Sequence, residues 1–308
     1  MLSNPPKRPL YRGRFAPSPT GPLHFGSIVA AIGSYLEARI RRGKWLVRIE
    51  NLDKTREVAG ASKDILNTLT ALGMEWDGDV LYQDQRNESY RAALATLEHQ
   101  QLIYPCTCTR REIADSSITG VDGPIYTGIC RAHSITGDGS RAWRVKTDDR
   151  VIELNDVLQG RIQQQVQSSI GDFVLRRADG VYAYQLAVVV DDAEQGVTHV
   201  VRGADLLNST PRQVYLQQLL DYSTPEYTHL PVAVNGGGEK LSKQTQAAPV
   251  DPRTPVPYLV TALDFLGQQP PADLMGCNVA SFWDWALQNW RPEIIPPIKF
   301  QFSRHSSG

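Results

Sequence analysis

The alternation of apolar and polar positions in the first fifty residues predicts a strand, a tight loop, a helix and a second strand. Residues 10–15 have the pattern of a short strand, and a loop rich in proline and glycine follows them. From Ser27 onward apolar residues recur at helical spacing, with Ser27 suited to cap the helix. Residues 44–50, KWLVRIE, are typical of a buried strand that ends in a carboxylate. This order predicts a βαβ unit with two parallel strands, which binds ligands at the carboxyl ends of its strands.

The patterning changes further along the chain. Two more helices are predicted, one that stops at Gly73 and one that carries Tyr90 and Leu97 on its apolar face. Residues 106–141 are then rich in Gly, Ser, Thr and Asp, and residues 142–175 carry short strand-like runs. We expect an inserted subdomain made mostly of strands and loops.

Regular α/β patterning then returns. Strands are predicted at residues 198–203 and 229–234, with a helix opened by Thr210 and Pro211 between them. The remainder of the chain after about residue 249 has a helical pattern. The sequence therefore predicts an α/β domain that is interrupted by the insertion and followed by a short helical region.

Composition and charge narrow the class of protein. The chain has 308 residues and a formal net charge of -1, so bulk charge does not indicate nucleic-acid binding, and any RNA contact must come from local patches. No apolar run approaches the roughly 18 residues that span a bilayer, and the N-terminus has no segment of signal-peptide type. We expect a cytoplasmic protein with no membrane partner.

Three of the four cysteines are clustered, at Cys106, Cys108 and Cys130. In a cytosolic protein this clustering indicates a metal before a disulfide, and three thiolates favour zinc. A tetrahedral site needs a fourth donor, which could be His133 or the less usual Tyr126. Reduced cysteines without a metal remain the alternative. A zinc site here would be structural, because no general base is recognisable nearby.

Two segments have the residues that bind a polyphosphate. Glycines allow close backbone approach, while lysine, histidine and a helix N-terminus supply donors to phosphate oxygens. The first segment carries His24 and Gly26, and the second, GGGEKLSK, ends with Lys240 and Lys243. Each segment alone is weak evidence for phosphate binding. A histidine held by hydrogen bonds within a loop would explain the first segment, and a solvated hairpin tip would explain the second. The second segment also lacks the spacing of a P-loop.

Four further residues lie beside expected strand ends: Arg14, Glu50, Tyr184 and Arg202. If the strands are parallel, these side chains converge on one small zwitterionic ligand. Arginine matches a carboxylate in a bidentate manner, and a glutamate matches an ammonium group. Surface ion pairs at strand termini are the alternative interpretation.

Taken in order, these motifs resemble a known family. The stretch PSPTGPLHFGS is similar to the "HIGH" element of class I aminoacyl-tRNA synthetases in its glutamyl form, and KLSKQ resembles their "KMSKS" element. Further stretches resemble elements of glutamyl-tRNA synthetases and their close paralogues: RIENLD, PIYTGICR, YQLAVVVDD and GVTHVVRG. The resemblance covers the chain from about Arg14 to Lys243.

The resemblance implies a class I synthetase fold, an α/β Rossmann-like parallel sheet with an inserted zinc-bearing subdomain and a short C-terminal helical region. We expect four segments, of which residues 1–104 and 181–250 form the two halves of the catalytic domain. Residues 105–180 would form the inserted zinc-binding and acceptor subdomain. Residues 251–308 would form the helical C-terminal region, with no anticodon-binding domain.

The resemblance also implies roles for individual residues. His24 and Lys243 would act in catalysis. Glutamate would be held by Arg14, Phe15, Ala16, Pro17, Ser18, Glu50, Tyr184 and Arg202. ATP would be held by His24, Gly26, Ser27, Lys240 and Lys243. A structural zinc ion, one per chain, would be held by Cys106, Cys108, Tyr126 and Cys130, so the resemblance prefers Tyr126 to His133.

The chain departs from the family pattern at three positions. Ser27 replaces the second histidine of the "HIGH" element, and its hydroxyl can still donate a hydrogen bond. Gln185 and Val188 stand where some of the longer enzymes have His and Asn, and an apolar Val188 predicts a looser hold on glutamate.

The chain is also similar to the truncated paralogues called glutamyl-queuosine tRNA(Asp) synthetases. This likeness implies ATP-dependent activation of glutamate to glutamyl-adenylate without tRNA, with Mg²⁺ accompanying ATP. It also implies transfer of glutamate to queuosine in the anticodon of tRNA(Asp). We expect the protein to be a monomer. The alternatives are a conventional glutamate ligase for a tRNA 3′ end, or a non-catalytic synthetase-like RNA-binding protein.

Overall fold

A computed structural model describes residues 10–116, 119–121, 123–132, 140–238, 240 and 249–302. The helices within these ranges are α1 (Phe25–Ile40), α2 (Ala61–Ala71), α3 (Asn87–His99), α4 (Arg110–Ser116), α5 (Val166–Ser169), α6 (Tyr184–Glu194), α7 (Thr210–Leu219), α8 (Pro255–Phe265) and α9 (Val279–Asn289). The strands are β1 (Arg12–Phe15), β2 (Lys44–Ile49), β3 (Leu81–Tyr82), β4 (Ile103–Cys106), β5 (Thr119–Gly120), β6 (Gly123–Pro124), β7 (Ala142–Val145), β8 (Val151–Asp156), β9 (Gly160–Gln165), β10 (Val174–Arg176), β11 (His199–Gly203), β12 (Glu226–Leu230), β13 (Val232–Val234) and β14 (Phe300–Phe302). In this part of the chain, none of the helices combines the length and apolar character that a membrane crossing requires.

Parallel strand pairs form the centre of the fold. β1 pairs with β2, whose other edge pairs with β3, and β11 pairs with β12, all in parallel. The two groups meet where the amide of Thr198 donates to the carbonyl of Arg12 at 2.9 Å. The predicted βαβ unit is confirmed, and the carboxyl ends of its strands lie together.

Helix α1 begins earlier than its sequence predicts. Its N-cap is His24, which has an extended backbone, and the amides of Ser27 and Ile28 donate to the carbonyl of His24 at 2.9 and 3.2 Å. Ser27 therefore lies inside the first turn, and its prediction as the cap is wrong. The helix starts directly at the end of the proline-rich loop, which brings that loop against the helix N-terminus.

Two other elements differ from the sequence prediction. The expected strand at 229–234 is divided into β12 and β13 around Pro231, which has no amide hydrogen to continue the ladder. Tyr184 is the first residue of helix α6 and does not lie at the end of a parallel strand. Its ring reaches the carboxyl ends of the strands from the start of the helix.

The strands between residues 103 and 176 share a hydrophobic core, here called the second core, with helices from both sides of this stretch of the chain. Strands β4, β7 and β10 form an antiparallel sheet, and β8 and β9 form a hairpin. Their apolar residues pack in one cluster with those of α3, α6 and α7. The division of the chain at residues 104, 180 and 250 stays a prediction.

The C-terminal helices belong to a separate hydrophobic core, here called the first core, which is built around β1, β2 and α1. Trp283 in α9 donates its indole hydrogen to the carbonyl of Leu72 at 2.9 Å, and Trp290 donates to Glu37 in α1 at 2.7 Å. Both tryptophans are buried with the apolar residues of β1, β2 and α1. The helical pattern after residue 249 is thus part of the domain that carries the parallel strands.

Candidate active site

A cavity of about 880 Å³ opens at the carboxyl ends of the parallel strands. Open α/β sheets bind their ligands at this edge. The cavity is lined by every predicted glutamate and ATP residue that the structure describes: Arg14, Phe15, Ala16, Pro17, Ser18, His24, Gly26, Ser27, Glu50, Tyr184, Arg202 and Lys240. Lys243 lies outside the described residues.

A buried network of charges lies behind one end of the cavity, and Arg14 and Glu50 are its members that line the cavity. Arg14, at 3% exposure, contacts Asp192 at 3.1 Å, and Arg48 contacts the same carboxylate at 2.7 Å. Arg48 also reaches Glu50 at 3.4 Å, while its Nε lies 3.9 Å from Asp191. The two arginines and three carboxylates fix one another, so Arg14 and Glu50 face the cavity in set positions.

Burial and these neighbours shift the pKa values of the carboxyl groups in opposite directions. Burial raises the pKa of Glu50, and the attraction of Arg48 and Arg14 only partly offsets it. Burial also acts to raise the pKa of Asp192, but the two arginines outweigh it and hold that pKa below its ordinary value. Asp192 is therefore a stable anion, whereas Glu50 would gain from a cationic ligand in the cavity.

The residues that support this network were missed as site residues in the sequence. Arg48, Asp191 and Asp192 belong to the motifs that carry the family resemblance, but no contact between them could be predicted. One signal was present, since Arg48 and Glu50 are two residues apart on an otherwise apolar strand and so lie on the same side of it. The partner carboxylates lie on α6, and Asp192 is 144 residues from Arg48 in the sequence.

Arg202 lines the cavity from β11. Its Nη2 donates to Thr210 and to Gln213, each at 2.8 Å, and its Nε donates to His229 at 3.1 Å. Its Nη1 donates to the Tyr184 hydroxyl at 3.4 Å. Burial raises the pKa of Tyr184, so this hydroxyl is neutral. The guanidinium therefore lies in the cavity wall among neutral partners.

The departures at positions 185 and 188 have different outcomes. Gln185 accepts from Gln213 at 3.0 Å, so it joins the group of side chains around Arg202. Val188 is buried in the second core and does not line the cavity. Its apolar side chain is therefore not part of the cavity wall, and the looser hold on glutamate that the sequence suggests stays a prediction.

The other end of the cavity is formed by the N-terminus of α1 and by the residues around the KLSKQ segment. His24 Nε2 lies 3.3 Å from the Ser27 hydroxyl, and Lys240 pairs with Asp205. His24 forms a β-bridge with Pro249, the first described residue after 240. A helix N-terminus, a histidine and a lysine make this end suited to phosphate.

The loop between the two ends is held by the backbone. The carbonyl of Pro17 accepts the amide of Glu50 at 2.9 Å, and the carbonyl of Leu23 accepts the amide of Val250 at 3.0 Å. Prolines fix the backbone of the loop between these points. The stretch from Arg14 to Ser18 thus stays beside Glu50, and His24 stays at the helix.

A separate cluster contains the three cysteines. The Sγ atoms of Cys106, Cys108 and Cys130 all lie within 4.8 Å of one another. The Tyr126 hydroxyl lies 3.4 Å from the Sγ atoms of both Cys106 and Cys108, and it accepts the amide of Cys130 at 2.9 Å. A tetrahedral zinc ion with bonds of about 2.3 Å to sulfur needs sulfurs roughly 3.8 Å apart, so the four side chains are close enough to fit one ion. His133 lies outside the described residues.

Comparison with known proteins agrees with this geometry. Residues 11–254 match the family described as tRNA synthetases class I (E and Q), catalytic domain. A glutamyl-Q tRNA(Asp) synthetase from Dechloromonas aromatica is 55% identical over 93% of this chain and 96% of its own length. Another from Chromobacterium violaceum is 55% identical over 96% of this chain and 99% of its own length.

Solved structures are similar as well. A glutamate tRNA ligase from Elizabethkingia meningosepticum, in complex with its amino acid, has a TM-score of 0.76 and 25% identity. The match covers 94% of this chain but only 66% of that ligase. The glutamate-tRNA synthetase of Elizabethkingia anophelis has a TM-score of 0.79 and 25% identity, with 97% of this chain and 69% of that enzyme covered. The chain belongs to the class I tRNA synthetases of the glutamate and glutamine type and, among them, to the glutamyl-Q tRNA(Asp) synthetase family.

Proposed function

We propose that the protein activates glutamate with ATP to form glutamyl-adenylate, and then transfers the glutamyl group to queuosine in the anticodon of tRNA(Asp). The observation that carries this proposal is that one cavity has both an amino-acid end and a phosphate end. Two arginines and a carboxylate lie at the first end, and a helix N-terminus with a histidine and a lysine lies at the second. The glutamyl-Q tRNA(Asp) synthetases of the same family support the choice of acceptor.

The charges at the amino-acid end match those of glutamate. Arg14 and Arg202 offer cationic donors to its carboxylates, and Glu50 offers an anion to its ammonium group. Burial raises the pKa of Glu50 despite its arginine neighbours, so these arginines do not fully stabilise its anionic form. The ammonium group of glutamate would supply the additional positive charge. Phe15, Ala16, Pro17 and Ser18 form the adjoining wall, and Tyr184 closes it beside Arg202.

Activation requires positioning and charge stabilisation more than covalent help from the protein. The glutamate α-carboxylate attacks the α-phosphorus of ATP, and pyrophosphate leaves. His24, the amides at the start of α1, Gly26, Ser27, Lys240 and Lys243 would stabilise the charge that grows on the phosphate oxygens. Mg²⁺ bound with ATP would supply further charge compensation. A queuosine hydroxyl on the cyclopentenediol ring then takes the glutamyl group, and AMP leaves.

The test of this proposal separates activation from acceptor choice. Glutamate-dependent exchange of pyrophosphate into ATP, measured without tRNA, reports activation. Labelled glutamate is then offered to tRNA(Asp) with queuosine, to the same tRNA without its 3′-terminal CCA, and to tRNA(Asp) that lacks queuosine. We expect exchange without tRNA, and equal labelling of the first two RNAs with none of the third.

Two other outcomes of these assays would indicate the two alternative functions. Label that disappears with the 3′ end would establish a conventional glutamate ligase, which the structural similarity to the glutamate tRNA ligase of Elizabethkingia meningosepticum keeps as the second candidate. No exchange and no labelling would leave a non-catalytic RNA-binding protein. Whether the enzyme is a monomer stays a prediction.

We further propose that Cys106, Cys108, Tyr126 and Cys130 hold one structural zinc ion per chain. Their mutual distances and soft donors support this assignment. Elemental analysis of the purified protein should give about one zinc per chain, and Cys108→Ser should lose most of it, because three donors remain. Cys277→Ser is the control, since Cys277 lies apart from the cluster. Far less than one zinc in the wild-type protein would refute the site.

The fourth ligand can be tested in the same assay. Tyr126→Phe should lower the zinc affinity, because it removes the hydroxyl next to the sulfurs. His133→Ala should leave the zinc content unchanged. The reverse pattern would assign His133 as the ligand.

A further inference from the structure

Arg202 differs from the other arginine of the amino-acid end in the charge of its partners. Arg14 is paired with the carboxylate of Asp192, which offsets much of its charge. Every side chain that accepts a described hydrogen bond from Arg202 is neutral at physiological pH: Tyr184, Thr210, Gln213 and His229. Arg202 therefore keeps its positive charge for a ligand, and neutral hydrogen-bond acceptors hold its guanidinium group: Tyr184, Thr210 and Gln213 at the two Nη atoms and His229 at Nε.

His229 fixes the Nε edge of this guanidinium, which the other three partners do not contact. It lies on β12 directly beside Arg202 in the parallel register, and its side chain is 0% exposed. The Nε–H of Arg202 can only donate, so the Nε2 of His229 must accept, at 3.1 Å. The proton of the imidazole is then on Nδ1, which donates to Asp156 at 2.6 Å. Burial lowers the pKa of His229 to about 4, against the effect of the Asp156 hydrogen bond, so this neutral form holds at physiological pH.

Asp156 in turn is fixed by the backbone. Its Oδ1 accepts the amides of Leu158, Gln159 and His229 at 3.0, 2.8 and 3.2 Å. Burial acts to raise the pKa of Asp156, but the hydrogen bonds from His229 and these amides outweigh it and keep the group ionised. Asp156 ends β8 of the inserted region, and neither it nor His229 lines the cavity.

We propose that Asp156 and His229 are positioning residues that orient the guanidinium of Arg202 toward the glutamate substrate. The proposal rests on the proposed function. Asp156 fixes the tautomer and ring plane of His229, and His229 then fixes the Nε edge of Arg202. A carboxylate in the place of His229 would also orient the arginine, but it would compete with the substrate carboxylate for its charge. The neutral imidazole orients without this competition.

The test measures glutamate and ATP requirements separately in pyrophosphate exchange. His229→Leu should raise the KM for glutamate by about tenfold or more and change the KM for ATP less than about twofold, because Arg202 loses its fixed Nε partner. His229→Gln, whose side-chain oxygen can accept from Arg202, should restore most of the glutamate affinity. The matched control is His199→Leu. His199 lies at the start of β11, the strand that also carries Arg202, but it does not line the cavity or contact Arg202.

A milder variant keeps the test decisive if His229→Leu does not fold. Asp156→Asn should also raise the KM for glutamate with little change in the KM for ATP, because Asp156 acts on Arg202 only through His229. Its effect combined with that of His229→Gln should be less than additive, since the two side chains act through one chain of hydrogen bonds. Equal changes in both KM values, or a fall in turnover alone, would overturn the positioning role. Absence of exchange in the wild-type enzyme would instead overturn the proposed function, and this inference with it.

Discussion

Replacement of Asp192 by alanine is expected to lower the free energy of unfolding by about 3–5 kcal/mol. The carboxylate lies between Arg14 and Arg48, and all three side chains are buried. Without it, the two guanidinium groups repel each other in a site where water cannot screen them, and Glu50 and Asp191 compensate only in part. Urea denaturation followed by circular dichroism gives the change, with the slope of the transition as a check on two-state behaviour.

The matched control is Asp148→Ala. Asp148 pairs with Arg150 at 2.6 Å, but both side chains are exposed by 40% or more, so its loss should cost less than about 1 kcal/mol. Asp192→Asn should lie between the two, because the amide oxygen can still accept one hydrogen bond. A cost for Asp192→Ala as small as that of the control would mean that the network does not support the fold.

Arg202→Ala is expected to raise the KM for glutamate by about 100-fold, with much less change for ATP. Truncation of one partner of a buried charged pair costs about 2–5 kcal/mol, and most of that cost falls on the substrate carboxylate that is left without its cation. Pyrophosphate exchange at varied glutamate and at varied ATP separates the two requirements. The control for the loss of a positive charge is Arg161→Ala, because Arg161 is an exposed arginine of the β8–β9 hairpin.

The outcome distinguishes substrate binding from a structural role. An equal rise in both KM values would show that the substitution disturbs the whole cavity. A fall in turnover with no change in either KM would assign Arg202 to a later step. Thermal unfolding of the variant shows whether the loss of its contacts with Thr210 and Gln213 has weakened the fold.

The parallel sheet and the residues at its edge were predictable because strand ends converge by geometry. The strands that precede Glu50 and contain Arg202 were recognisable from their apolar runs, so the cavity could be placed from the sequence. The position of Tyr184 could not be placed in this way. Its helix is rich in valine, and such a short apolar run does not distinguish a buried helix from a strand.

The supporting contacts were not predictable, since they depend on how distant elements pack. The pairing of Arg48 with Asp192 and the chain from Arg202 through His229 to Asp156 join residues far apart in sequence. A single sequence shows that each residue is polar, but it does not show which are buried together. The fit of Tyr126 to the cysteine cluster was likewise implied by the family resemblance alone.

The packing of α9 against α1 sets the order in which the chain can fold during synthesis. The first core joins residues as early as Tyr11 with Trp290 and Ile295, so it cannot close until synthesis has passed residue 295. At about 5–20 residues per second, the first βαβ unit waits roughly ten to fifty seconds for its last apolar partners. During that interval the part of its apolar face that Trp290 and Ile295 cover in the folded protein lacks this cover.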